Sequence, residues 1–96
     1  MNIKISGLLR LFNRDISADV SDINFARKNG RPIYEIKSHN QTVEFSPRFK
    51  YIAKFVKLLC DERGGVHKAH CIQVYRIQNA RKFEINKAHM LRMAGA

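Results

Sequence analysis

The chain has 96 residues, 45% of them apolar and 27% charged, a composition that fits one small folded domain and not a disordered tail. Eighteen Lys and Arg against eight Asp and Glu leave a formal net charge of +10, which favours a polyanionic partner and excludes mimicry of nucleic acid, since a phosphate mimic must be acidic. No apolar run approaches the roughly 18–20 residues that span a bilayer, so no membrane span is expected.

The opening stretch, MNIKISGLLRLFNRD, breaks its apolar run at Arg10 and offers no small-residue cleavage site. A reduced, cytoplasmic chain is therefore expected, with Cys60 and Cys71 as free thiols. Ile5, Leu8, Leu9 and Phe12 recur at helical spacing and predict a short amphipathic helix over residues 3–13. The period then changes. Ile23–Arg27 alternates, Asn29-Gly30 follows, and Ile33–Lys37 alternates again. Asn-Gly between two alternating runs is a strong hairpin signal, because both central residues of a type I′ turn need positive φ. With a second turn at Ser38–Gln41 and a strand at Thr42–Phe45, residues 23–45 read as a three-stranded antiparallel meander.

Ser46-Pro47 opens the clearest helix: serine is a favoured N-cap, and proline at the next position has its φ preset. Phe49, Ile52, Ala53, Phe55, Val56, Leu58 and Leu59 form its apolar face, Lys50, Lys54 and Lys57 its solvated one, and Gly64-Gly65 its end. Residues 67–77 fit two periods. Helical spacing links Lys68, Cys71, Ile72 and Tyr75, whereas Cys71, Gln73, Tyr75 and Ile77 alternate as in a strand. Residues 81–93 are rich in helix formers and predict a basic C-terminal helix with Phe83 and Met90 inward.

Residues 42–72, TVEFSPRFKYIAKFVKLLCDERGGVHKAHCI, resemble the winged helix-turn-helix DNA-binding domain of OmpR/PhoB-type response regulators. Phe45-Ser46-Pro47 looks like the family's entry into its first long helix, and Gly65-Val66 like the turn that follows. The resemblance implies that 67–77 is a second helix and that the terminal helix enters the major groove, with Leu91-Arg92 resembling part of the recognition-helix pattern. The sequence departs from the family in placing His67 where Ser or Thr is usual, and in having no counterpart of the wing. The expected fold class is α+β, a single domain with a small antiparallel meander and three to four helices, winged-helix-like.

Charge points to the same third of the chain. Residues 63–96 hold Arg63, Lys68, Arg76, Arg81, Lys82, Lys87 and Arg92 against the single acid Glu84. Asn, Arg and Lys on a groove-bound helix can bond base edges. Asn86, Lys87, His89 and Arg92 are therefore expected at bases or in the groove, and Lys68, Arg76, Arg81 and Lys82 at phosphates. The expected function is a small transcriptional regulator on double-stranded DNA. The alternative is a phage or mobile-element protein whose basic surface binds and inhibits a host protein. A third option, RNA stacking on Phe25, Tyr34 and Phe45, needs those rings on an exposed sheet face. No enzymatic function or cofactor is expected, because the sequence has no Gly-rich phosphate loop and no nucleophile motif. Cys60, His67, His70 and Cys71 lack the paired spacing of a structural zinc site, so no metal is expected either.

Overall fold

The structure, a computed structural model, describes residues 20–95; the helix predicted over 3–13 lies outside the described residues. The described elements are α1 (Val20–Lys28), β1 (Ile33–Ser38), β2 (Gln41–Ser46), α2 (Phe49–Asp61), a single 3-10 turn (Val66–Lys68), β3 (Ile72–Gln78), β4 (Arg81–Ile85) and α3 (Lys87–Met93). The α+β class holds, but the sheet has four strands in the order β2-β1-β3-β4, all neighbours antiparallel. Two hairpins, joined through α2, lie side by side at β1 and β3.

Alternation along the strands gives the sheet two chemically different faces. Tyr34 and Ile36 of β1, with Ile72 and Val74 of β3, turn toward α2. There they meet Ile52, Phe55, Val56 and Leu59, all fully buried, and Met90 from α3. The predicted apolar face of α2 is thus the centre of the core. Lys50, Lys54 and Lys57 remain exposed on its other side, as expected. The opposite sheet face carries Phe45, Glu35, Tyr75 and Glu84 in one cross-strand row and Ile33, Ile77 and Lys82 in the next. One end of that face receives α1. Ala26 and Ile33 are buried there, the Arg27 guanidinium lies 5.8 Å from the Phe45 ring centroid, and Asp22 pairs with Arg48 at 3.3 Å.

Three expected elements are corrected. Residues 23–27 are helical, so the meander is not formed by them. Asn29-Gly30 instead ends α1: Gly30 has φ +67°, its N–H bonds Arg27 O, and the Arg31 N–H bonds Ala26 O. That bond pair closes a helix C-terminus, a second use of a glycine at positive φ. The two-residue turns are His39-Asn40 and Asn79-Ala80, all four residues at positive φ without a glycine among them. Of residues 67–77, the first two end the 3-10 turn and Ile72 onward is β3, so no second α-helix follows the glycine turn and the expected helix-turn-helix pair is not formed. Residues 81–85 are strand, which leaves only Lys87–Met93 of the predicted terminal helix. In both cases pairing with a neighbouring strand decides between two compatible periods. The α2 entry shifts slightly: Arg48 is the N-cap, and buried Ser46 closes β2 while its Oγ accepts from the Arg48 N–H at 3.1 Å.

Ala80 sits at φ +63°, where a Cβ costs roughly 1–2 kcal/mol and glycine nothing. Ala80→Gly is expected to stabilise the protein by about 0.5–1 kcal/mol after the greater freedom of the unfolded chain is deducted. A rise in the urea midpoint checks it, and a fall would mean that the turn does not hold this backbone.

Candidate nucleic-acid interface

The register of β1 on β3 sets Ile33 opposite Ile77, and so brings the end of α1 beside the β3–β4 turn. Gln78 Nε2 donates to the Gly30 carbonyl at 2.8 Å. Asn79 Oδ1 lies 3.5 Å from where a Cβ on Gly30 would stand. Two grooves flank Asn79. One, of about 120 Å³, is lined by Arg27, Gly30, Arg31, Ile33, Ile77, Gln78, Asn79 and Ala80. The other is lined by Gln78, Asn79, Arg81 and Phe83. Neither has a carboxylate in its wall. Arg76 lies over the Phe83 ring at 5.9 Å, and Arg31 over the Phe25 ring at 5.9 Å. Side-chain amides and guanidinium groups thus converge at one end of the sheet, from segments more than forty residues apart.

Lys82 borders this end but is held by its neighbours. Its Nζ pairs with Glu35 Oε1 at 2.8 Å and lies 4.7 Å from the Tyr75 centroid, with Lys37 on the same ring at 5.8 Å. The Thr42 hydroxyl donates to the other Glu35 oxygen. Burial by itself would push the Glu35 carboxyl up, but hydrogen bonds from Lys82 and Thr42 and the charges of Lys82 and Lys37 hold it below the usual carboxylate range. The bond to Glu35 in turn raises Lys82.

The remaining predicted contact residues lie elsewhere. Arg81 and Ile85 mark the two ends of β4, about 13 Å apart. Beyond Ile85, Asn86 is the N-cap of α3, its Oδ1 accepting from the His89 N–H at 3.0 Å. Lys87 is half-buried, its Nζ donating to the carbonyls of Ala69 at 3.0 Å and Ile72 at 2.5 Å. Both side chains serve the start of α3, and with His67 and Glu84 they line a separate groove at the other end of β4. Lys68, His89 and Arg92 are exposed. Of the eight predicted residues, Arg76, Arg81 and Lys82 are gathered at the sheet end. Arg27, Arg31, Gln78 and Asn79 were missed, and the signal available for Arg27 was a basic last turn before a C-terminal glycine.

Rings proposed for RNA stacking are dispersed. Tyr34 is buried edge-on against Phe49 with centroids 5.5 Å apart, Phe45 lies under Arg27, and Phe25 is exposed on α1. Arg63 Nε donates to Cys71 Sγ at 3.0 Å, and burial pushes the Cys60 thiol up. Among the described residues no three His, Cys, Asp or Glu side chains come together as a metal site, and no helix is long and apolar enough to cross a membrane. Comparison of the chain with family models, curated proteins and solved structures finds no match.

A carboxylate with a lowered pKa contributes stability above its unfolded value and loses it as pH falls through the folded one. Glu35→Gln is therefore expected to lower stability at neutral pH and to flatten the loss of stability below about pH 4. Urea midpoints across the acid range test this; an unaltered pH profile would refute the paired state of Glu35.

Proposed function

We propose that the protein binds double-stranded DNA through the cationic end of its sheet, with the β3–β4 hairpin as the element that enters the groove. The observation that carries this reading is that Arg27, Arg31 and Arg81 line the two grooves beside Asn79, neither with a carboxylate, while Arg76 reaches over Phe83 in the wall of the second. A two-stranded ribbon fits the major groove of B-DNA as a helix does. The hairpin turn is narrow, and Asn79 and Arg81 on it are exposed. Asn amide and Arg guanidinium groups there suit adenine and guanine edges, while Arg27, Arg31 and Arg76 suit the phosphates on either side. This keeps the expected ligand and replaces the expected reader. A regulatory role on DNA would follow from such binding at chosen sites.

Cationic surfaces release counterions when they meet phosphate, so log K falls with log salt by about 0.9 per phosphate neutralised. Arg27→Ala and Arg31→Ala should each weaken duplex binding and reduce the salt slope by about one. Lys68→Ala and Arg92→Ala, away from the two grooves, should change the slope by less than half as much. Fluorescence anisotropy with labelled duplex at several salt concentrations measures both quantities. Equal losses at all four positions would show that charge alone, and not this end of the sheet, determines binding.

A further inference from the structure

β4 is an edge strand. It pairs with β3 on one side, and among the described residues none of the turn, loop or cap hydrogen bonds reaches residues 81–85. Arg81, Lys82, Phe83 and Glu84 are all exposed, and Phe83 is 48% exposed despite its apolar ring. We propose that two copies of this chain join through β4, antiparallel about a two-fold axis at Phe83, to make one continuous eight-stranded sheet.

The register follows from the backbone. In a two-residue hairpin the residues flanking the turn exchange both hydrogen bonds, here Gln78 and Arg81, and bonded pairs then recur at every second residue. Phe83 and Ile85 therefore face β3 with their peptide groups, and Lys82 and Glu84 direct theirs outward. A two-fold partner must align outward groups with outward groups, which leaves three registers over this strand. Centring on residue 82 sets Lys82 against Lys82, and centring on residue 84 sets Glu84 against Glu84. Centring on Phe83 sets each Lys82 against the second copy's Glu84, with four backbone hydrogen bonds, and brings the two Phe83 rings together as the closer, non-bonded pair.

Charged side chains on an edge ordinarily keep a second strand away. On β4 their order favours one self-pairing. Glu84 has no ion-pair partner among the described residues, and the Lys82 side chain keeps 43% of its surface open beyond its contact with Glu35. The other edge differs. β2 pairs Ile36 with Glu44 but Lys37 with Thr42, so Val43 is an extra residue in a bulge, a device that spoils an edge for pairing. The proposal does not depend on DNA binding, and its test contains no DNA.

One short strand and one aromatic pair bury less than the roughly 1,200 Å² of a standard interface, so the dimer is weak. Sedimentation velocity of the full chain should show monomer and dimer exchanging over the micromolar to low millimolar range. Glu84→Lys, which makes each cross-axis pair lysine on lysine, should weaken association at least about tenfold. Cross-linking tests the register itself. With Cys71→Ser removing the half-buried thiol, Phe83→Cys should form an interchain disulfide at least tenfold faster than Glu84→Cys, because residue 83 alone meets its own copy. Circular dichroism of each variant checks that the fold is kept. A chain monomeric throughout, a dimer indifferent to Glu84→Lys, or equal cross-linking at 83 and 84 would each overturn the proposal.

Discussion

Two local hairpins become one sheet where β1 meets β3, and that ladder fixes the position of nearly every group with a proposed role. A lone hairpin is marginal in water, since it has no third strand or helix to bury its apolar face. Bringing Ile72 alongside Ser38 closes the whole segment that contains β2 and α2, at an entropic cost that grows with its length. The return is the burial of Ile36 and Val74, both fully removed from solvent, beneath Ile52, Phe55 and Leu59. The same register sets Ile33 against Ile77 and hence Arg31 near Asn79. A slip of one residue along this ladder would put Ile36 and Val74 on the wrong face and separate the arginines. Core and candidate interface are therefore two results of one pairing.

Acidic residues take little from the cationic surface, because four of the six described ones are engaged within the fold. Asp22 pairs with Arg48, Asp61 with Lys57 one helical turn away, and Glu35 with Lys82, while Glu44 accepts from the Tyr51 hydroxyl at 2.6 Å. These contacts join α1 to the start of α2, steady the exposed side of α2, and anchor the open sheet face. Exposed pairs of this kind are individually weak, around 0–1 kcal/mol, so their larger consequence is where they leave charge unopposed. Arg27, Arg31 and Arg81 have no carboxylate beside them in the two grooves they line. They lie at the one end of the sheet where two loops meet, so their fields add.

The strength of each local signal decided how much was legible in the sequence. The α2 face could be read because it repeats at helical spacing from Phe49 to Leu59 and no strand pattern competes. Ile33–Lys37 and Thr42–Phe45 were readable as strands for the same reason, and the α+β class with them. Asn29-Gly30 was misread because positive φ at glycine serves a helix terminus as well as a hairpin, and Ala26, at the third residue before the cap, is small enough to sit against the sheet. The β3–β4 turn was invisible for the opposite reason: Asn79-Ala80 holds left-handed backbone without the glycine that advertises it. Residues 67–77 carry both periods, and only the presence of β1 as a partner selects the strand. Of the candidate interface, the cations of 76–82 were legible as charge. Their neighbours Arg27 and Arg31 belong to it through the β1–β3 pairing, which no local pattern encodes.

Salt acts in opposite directions on the two surfaces that share β4. Two chains of this charge repel one another at long range, and that repulsion decays over about 8 Å at physiological ionic strength. The cross-axis contact of Lys82 with Glu84 and the meeting of two Phe83 rings operate at a few ångströms, backed by peptide hydrogen bonds that salt scarcely affects. Screening therefore removes more of what opposes self-pairing than of what favours it. The phosphate contacts proposed for Arg27 and Arg31 would lose affinity under the same change, because released counterions would enter a more concentrated solution. A bound polyphosphate would do for the proposed pair what salt does, by neutralising cations that hold two chains apart. The two proposed surfaces meet at Phe83, which lines the second groove and would sit on the two-fold axis, while Lys82 and Glu84 belong to the edge and Asn79 to the turn.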